Sequence, residues 1–370
     1  GQPSGCTAML ADCLLPGSTR EERRLARELA AATSEKARLT FLKNYSRRLF
    51  ATITSAEDYH QTTVRQLEVP RSSLRFVGKL GEGNYGLVRL AVRTQAPPLV
   101  PALLEVAVKS RPLAESDATI DEALLLEGLL QHALRHPHIL TLLAICTETV
   151  PFLLVTERMV NSDLKSYLRA CRPTAQHQRA RLTLFDNIQM LESICSAMRH
   201  LEARDVIHRD LAARNVLVGA NPTDVKLSDL GAARSVFRLA DREYSASTVH
   251  KPARWMAPES LKHATFTNKT DVWAFGVLCW EVTSLGKTPY GALGIKDMME
   301  GLEHGDRLEE APFTPPGLYK VLKLCWSLNP KRRPNFSDLV HNLGAIRGAL
   351  AVTADGRMTL DANDVLVSVD

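Results

Sequence analysis

The 370-residue sequence lacks the features of a membrane-spanning or disulfide-stabilised protein. Its longest apolar runs, such as "WAFGVLCW", fall short of the roughly 18–20 residues that cross a bilayer. Seven cysteines are scattered without a CxxC pair, which argues against a zinc site and indicates reduced thiols. Lysine and arginine total 46 against 41 acidic residues, and this net charge of +5 is too small to indicate a nucleic-acid partner. The remaining composition is that of an ordinary globular protein.

Residues 18–55 carry apolar side chains at helical spacing on an otherwise charged stretch, as in the pairs Leu25–Leu29 and Leu39–Leu42. The pattern predicts one long amphipathic helix or two short ones. Such a helix needs a cover for its apolar stripe. The alternatives are docking on the main domain within the same chain, and dimerisation or partner binding.

The pattern changes to strands at Leu74 and again to helices beyond Asn161. Between these points lie several strand-like runs and one helical stretch from about residue 117 to 134. Short strand-like runs recur around residues 206–228. Strands first and helices afterwards predict an α+β protein with two lobes of different class.

A glycine-rich segment, "GEGNYGLV", places Gly81, Gly83 and Gly86 ahead of Val88. This spacing lets the backbone bend and bring N–H groups close to phosphates. Dinucleotide-binding folds use nearly the same spacing, but their turn opens into a helix. Here residues 87–92 alternate as a second strand, which favours a strand–loop–strand cover over a nucleotide. A purely structural glycine turn is the alternative.

A lone lysine and a lone glutamate suggest an ion pair. Lys109 ends the apolar run "EVAVKS", and Glu127 lies on an otherwise apolar helix where it needs a partner. Glu122, nearer the polar start of that helix, is the second candidate. A solvated strand-end lysine is the alternative interpretation.

The segment "VIHRDLAARNVLV" concentrates charge between aliphatic runs at residues 206–218. Asp210 can accept a hydrogen bond from a substrate hydroxyl and take its proton. Asn215 offers an amide oxygen to a hard divalent cation, and Asp229 of "KLSDLG" offers a carboxylate. Each of the three could instead be an ordinary turn residue.

Taken in order, "GEGNYGLV", "VAVK", "HRDLAARN", "DLG", "APE" and "DVWAFG" resemble the protein kinase signature set. The resemblance implies a bilobal protein kinase fold with a β-rich N-lobe and a helical C-lobe. It implies a kinase domain over residues 71–350, an N-terminal helical segment over 1–70 and a tail over 351–370. It also implies ATP and Mg²⁺ as cofactors.

The resemblance further assigns a nucleotide site, with adenine sandwiched by Val88, Ala107 and Leu217. Thr156 falls at the gatekeeper position, where a small residue leaves room for ATP-competitive inhibitors. The nucleotide-binding residues implied are Leu80, Gly81, Gly83, Gly86, Val88, Ala107, Lys109, Thr156, Glu157, Met159 and Leu217.

The catalytic residues implied are Asp210, Lys109, Glu127 and Arg214, with Asn215 and Asp229 as metal ligands. Serine/threonine kinases usually carry a lysine where Ala212 stands, whereas tyrosine kinases supply Arg214 instead. The resemblance therefore indicates a tyrosine kinase acting on protein substrates. A serine/threonine or dual-specificity kinase is the weaker alternative.

Structural roles follow from the same resemblance. Asp271 ties down the catalytic-loop backbone, and Arg333 pairs with Glu259. His208 and Leu230 stack in the hydrophobic column between the lobes.

Four features depart from the family pattern, one of them Arg158 in place of a typical hinge aromatic residue. Leu230 stands where phenylalanine is usual, but leucine is also apolar and should still pack, so activity is expected to survive. Gln131 stands where the hydrophobic column has an aliphatic residue, which predicts a weaker active arrangement. The segment before Pro252 is one residue short. Gln131 and the short segment support an alternative of a different class, a pseudokinase scaffold that binds partners without transferring phosphate.

Two tyrosines are predicted regulatory sites: Tyr244 in the activation segment and Tyr59 ahead of the domain. A phosphate on Tyr244 would add about two negative charges and could pair with Arg209. The domain is expected on the cytoplasmic side. A single-pass membrane receptor is one hypothesis for the parent protein, its membrane segment lying outside this chain.

Overall fold

The computed structural model describes residues 64–83, 86–94, 104–111, 118–173, 182–235 and 253–352. The predicted helix over residues 18–55, both predicted regulatory tyrosines (Tyr59 and Tyr244) and residues 353–370 of the predicted tail lie outside these ranges. Within the described ranges, no helix has both the length and the apolar composition needed to cross a membrane.

The N-terminal part of the described chain is an antiparallel five-stranded sheet with strand order β1-β2-β3-β5-β4. Its strands are β1 (Leu74–Gly83), β2 (Gly86–Arg93), β3 (Leu104–Ser110), β4 (Leu142–Cys146) and β5 (Leu153–Glu157). β1 and β2 form the predicted strand–loop–strand unit, with Gly83 facing Gly86. In β3, Val106 and Val108 are fully buried in a cluster on one face of the sheet. Because side chains alternate along a strand, Ala107 and Lys109 share the opposite face.

Two helices flank this sheet. Helix α1 (Val64–Leu67) leads into Glu68, which forms a bridge with Ile145 of β4. Helix α2 (Ala118–Ala133) confirms the helix predicted for residues 117–134. A Cβ built on Gly128 would lie 2.6 Å from the Leu154 side chain, so glycine permits the close approach of α2 to β5.

The C-terminal part is mainly helical. Its helices are α3 (Leu164–Ala170), α4 (Leu184–Glu202), α5 (Pro258–His263), α6 (Asn268–Thr283), α7 (Ile295–His304), α8 (Leu318–Cys325) and α9 (Phe336–Val352). A capping box of Thr183 and Asp186 starts α4. Helix α6 is buried on all sides, as expected for a helix at the centre of a lobe.

Short strands support the loops between the two parts. β6 (Val206–Ile207) pairs with β9 (Arg234–Ser235), and β7 (Val216–Val218) pairs with β8 (Val225–Leu227). Ile139, ahead of β4, also forms a bridge with Leu227 of β8. The predicted α+β architecture, a β-rich lobe followed by a helical lobe, is confirmed.

Candidate active site

Two acidic side chains from separate segments, Glu127 and Asp229, contact the ammonium of Lys109. Its Nζ lies 2.6 Å from Glu127 Oε1 on α2 and 3.3 Å from Asp229 Oδ1, which follows β8. All three side chains are largely buried, with exposures of 18%, 9% and 15%. The ion pair that the sequence predicted between Lys109 and Glu127 is therefore present.

The charge balance favours a protonated Lys109. Burial alone would lower the pKa of its ammonium, but the carboxylates of Glu127 and Asp229 outweigh that cost and raise the pKa above its usual value. Lys109 is therefore a cation that is fixed between two carboxylates.

Asp210 lies in the loop between β6 and β7, where neighbouring groups hold its carboxylate. Asn215 Nδ2 donates to the Asp210 backbone oxygen at 2.6 Å and to Oδ2 at 2.8 Å. Arg214 forms an ion pair with Asp210 Oδ1, and its guanidinium lies 4.6 Å from the centre of the Trp255 ring. Arg214 and Asn215 belong to a 3₁₀ turn, Ala213–Asn215, and together they orient the two oxygens of Asp210.

The backbone of this loop is held from beneath by Asp271 of α6. Its carboxylate accepts hydrogen bonds from the backbone N–H groups of His208 at 2.7 Å and Arg209 at 3.0 Å. Arg209 has a φ of 70°, an unfavourable value for arginine. The two bonds to Asp271 help to fix that conformation, and the predicted contact of Asp271 is present.

The implied pair of Arg333 and Glu259 is also observed. The guanidinium of Arg333 makes two parallel bonds to Glu259, at 2.6 and 3.0 Å. His208 and Leu230 are both buried, with exposures of 0% and 1%.

The residues assigned to adenine lie on or just beyond strands of both parts of the molecule. They are Val88 on β2, Ala107 on β3, Thr156 and Glu157 on β5, Met159 just beyond β5, and Leu217 on β7. Thr156 Oγ1 lies 3.4 Å from the Ala107 oxygen, and Ala107 is directly opposite Thr156 in the sheet register. Leu80 on β1 is instead 46% exposed.

The glycines of the phosphate-loop motif have different local requirements. Gly86 has a φ of 120°, and a Cβ there would lie 2.4 Å from the Ser110 carbonyl oxygen. Gly81 has no atom within 4 Å of a built Cβ. Of these two positions, only Gly86 therefore requires glycine for the fold itself.

The chemistry of Asn215 and Asp229 fits a hard divalent cation. Among the described residues, both hydrogen bonds of the Asn215 side chain are donated by its amide nitrogen. Its amide oxygen is therefore left to bind a ligand. Asp229 adopts left-handed backbone dihedrals, φ 57° and ψ 66°, just ahead of Gly231. No group of three or more His, Cys, Asp or Glu side chains suited to a metal occurs in the described part of the chain. Two protein ligands suit a cation whose shell is completed by phosphate oxygens and water.

One contributor to the site was missed by the sequence analysis. Glu281 of α6, a buried acid that follows the apolar run "VWAFGVLCW", accepts hydrogen bonds from the Ala213 backbone N–H at 2.9 Å and Trp255 Nε1 at 2.8 Å. The same signal that singled out Glu127 could have identified Glu281. Glu157 accepts hydrogen bonds from Lys226 Nζ at 2.7 and 2.8 Å, so its carboxylate is engaged by Lys226 and is not a candidate ligand of a nucleotide.

Comparison with known proteins assigns the family. A family model described as protein tyrosine and serine/threonine kinase matches residues 74–343. The chain is 37% identical over 281 residues to the insulin receptor of Xenopus laevis, covering 75% of this chain and 20% of that protein. It is 38% identical over 272 residues to tyrosine-protein kinase ABL2 of Homo sapiens, which covers 73% of this chain and 21% of that protein. Tyrosine-protein kinase Abl of Drosophila melanogaster is 35% identical over 297 residues, which covers 80% of this chain and 17% of that protein.

The chain belongs to the protein tyrosine and serine/threonine kinase family. It spans about a fifth of the length of the curated relatives it matches. Membership of a kinase family implies use of ATP and a divalent metal. One relative is named a receptor and the others are named tyrosine-protein kinases, so a receptor as parent protein stays a prediction.

Proposed function

We propose that this domain is a protein tyrosine kinase that transfers the γ-phosphate of ATP, with Mg²⁺, to tyrosine hydroxyls of protein substrates. The observation that carries the proposal is the convergence of Glu127 and Asp229 on Lys109, at 2.6 and 3.3 Å. Phosphoryl transfer depends on positioning and charge neutralisation, and these residues supply fixed charges for both. The relatives named tyrosine kinases support the same activity.

In this proposal Lys109 binds the α- and β-phosphates while Glu127 holds its ammonium in place. The β1–β2 hairpin covers the phosphates, and its glycines let backbone N–H groups approach them. Asn215 and Asp229 hold Mg²⁺, which neutralises phosphate charge when bound. Each of these residues lies on a different segment, so the lobes must keep their relative placement for activity.

The adenine ring lies between Val88, Ala107 and Leu217 in this proposal. Because the Glu157 carboxylate is engaged by Lys226, the backbone groups of Glu157 and Met159 are the ones offered to the adenine edge. Thr156 adds little bulk behind the ring, so ATP-competitive inhibitors that extend past it should bind.

Asp210 accepts the hydrogen bond of the substrate hydroxyl and takes its proton. Arg214 and Asn215 hold the carboxylate for that step. The phenol of tyrosine reaches further than a serine hydroxyl, and Ala212 leaves room where a lysine would otherwise stand. The placement of Arg214 over Trp255 supports tyrosine over serine or threonine.

Regulation is proposed at sites outside the described residues. Phosphorylation of Tyr244 adds negative charge that Arg209 can bind, ordering the activation segment. Tyr59 is a second proposed site. The helix predicted over residues 18–55 is proposed to dock on the domain or to pair with a second copy. The insulin receptor relative favours a receptor as parent protein, with this domain on the cytoplasmic side.

The activity is tested with purified protein, Mg²⁺, ATP and a peptide pool containing tyrosine, serine and threonine. We expect phosphotyrosine from the wild type and none from Asp210→Asn, which keeps the shape of the side chain. Phosphoserine alone would overturn the tyrosine specificity. Nucleotide binding without any transfer would favour the pseudokinase scaffold.

The docking of residues 18–55 is tested by deleting residues 1–63, which leaves α1 and the Glu68 bridge intact. We expect a change in activity, thermal stability or molecular mass in solution. Unchanged values for all three would show that this segment neither docks nor dimerises.

A further inference from the structure

Gln131 on α2 is a buried amide one helical turn beyond Glu127. It is only 5% exposed, and its Nε2 donates a 2.6 Å hydrogen bond to the Leu140 carbonyl oxygen. A buried amide without partners would be costly, so this bond offsets the cost of placing a polar group here. The bond also ties the C-terminal end of α2 to the loop before β4.

The residue that accepts this bond is itself tied to β8. The Leu140 N–H donates to the Leu227 carbonyl oxygen at 2.9 Å, and the Leu227 N–H donates to the His138 carbonyl oxygen at 2.8 Å. Leu227 ends β8, two residues before Asp229. Leu140 therefore joins α2, the helix that carries Glu127, to β8, the strand that leads to Asp229.

Lys109 joins the same two elements at their carboxylates. Its Nζ contacts Glu127 on α2 and Asp229 beyond β8. The helix and the strand are thus linked twice, once by Lys109 and once by the bonds running from Gln131 through Leu140. A shift of α2 that separates Glu127 from Lys109 must also strain or break the second link.

We propose that Gln131 is a positioning residue that fixes α2 against the loop before β4 and so keeps Glu127 within reach of Lys109. An aliphatic side chain would fill the same space but leave the Leu140 carbonyl oxygen without its donor. The glutamine therefore stabilises the arrangement that the sequence analysis expected it to weaken. The proposal rests on the proposed function, since it concerns the same Lys109 site.

The test compares Gln131→Met, which keeps the length and flexibility of the side chain, with Leu134→Val as a matched control. Leu134 is fully buried one residue beyond the end of α2, so its variant loses packing without losing the bond to Leu140. Gln131→Leu serves as a second variant if the methionine variant folds poorly. The measurements are thermal stability, kcat and KM for Mg·ATP, and hydrogen exchange of the amides of residues 118–133.

At a similar loss of thermal stability, we expect Gln131→Met to raise KM for Mg·ATP about tenfold and to speed exchange along α2. We expect Leu134→Val to do neither. Equal kinetic losses in both variants, or wild-type kinetics and exchange in the Gln131 variants, would overturn the proposal. If the wild type transfers no phosphate, the proposed function fails separately. The exchange rates and the calorimetric affinity for Mg·ATP then decide the role of Gln131.

Discussion

Glu281 and Ala213 are joined by a 2.9 Å hydrogen bond, although 68 residues separate them in the sequence. The same carboxylate oxygen accepts the indole N–H of Trp255 at 2.8 Å. One buried acid of α6 therefore connects the loop that carries Asp210 to the segment that follows the activation region. Burial raises the pKa of Glu281, and the two donated bonds oppose that rise.

Glu281→Ala should strongly destabilise the domain because it leaves the Ala213 and Trp255 N–H groups buried without an acceptor. The expected loss is about 2–5 kcal/mol of unfolding free energy. Glu281→Gln keeps an oxygen that can accept both bonds, so it should cost much less. Denaturant unfolding of the two variants checks this, and equal losses would contradict the role given to the oxygen.

Gly86→Ala should destabilise the β1–β2 hairpin, whereas Gly81→Ala should not. Gly86 has a positive φ and its Cβ would meet the backbone at Ser110, while the space around Gly81 is open. The expected loss for Gly86→Ala is about 1–3 kcal/mol. Thermal unfolding without nucleotide measures the difference, and matching melting temperatures for the two variants would refute it.

Arg333→Ala should cost far more stability than Arg347→Ala. The Arg333 side chain is fully buried and doubly bonded to Glu259, whereas Arg347 is 46% exposed beside Glu192. Removing the buried partner should cost about 3–5 kcal/mol, and removing the surface partner about 0–1 kcal/mol. Urea titrations of both variants provide the comparison, and similar midpoints would contradict it.

Two neighbouring histidines predict a loss of stability in mild acid. Burial, reinforced by nearby positive groups, lowers the pKa of both His136 and His200 to about 4. The unfolded chain takes up these protons near pH 6.5 and the folded chain only near pH 4. Stability should therefore fall as the pH drops through this window.

Melting temperatures at pH 7 and pH 5 check the histidine prediction. His200→Gln should reduce the drop between the two values, because glutamine does not titrate. His341→Gln, at an exposed position, should leave the drop unchanged. An identical drop in the wild type and in His200→Gln would contradict the contribution given to His200.

The sequence was most informative where a charge interrupts an apolar pattern. Lys109 and Glu127 were paired in advance because each needed a partner, and the order of motifs implied the fold. The hydrogen bond of Gln131 could not be predicted, because its acceptor is the backbone carbonyl of Leu140 and a backbone acceptor leaves no mark in the side-chain pattern. Glu281 was missed although it follows an apolar run, "VWAFGVLCW", and so carries the same signal that singled out Glu127.

The most direct test of the central claim is calorimetric titration of ATP with and without Mg²⁺ into the wild type, Lys109→Met and Asp229→Asn. The account predicts Mg²⁺-enhanced binding to the wild type, at least tenfold weaker binding to Lys109→Met, and loss of the Mg²⁺ enhancement in Asp229→Asn. Wild-type affinity and Mg²⁺ response in both folded variants would contradict a triphosphate site built around these two residues.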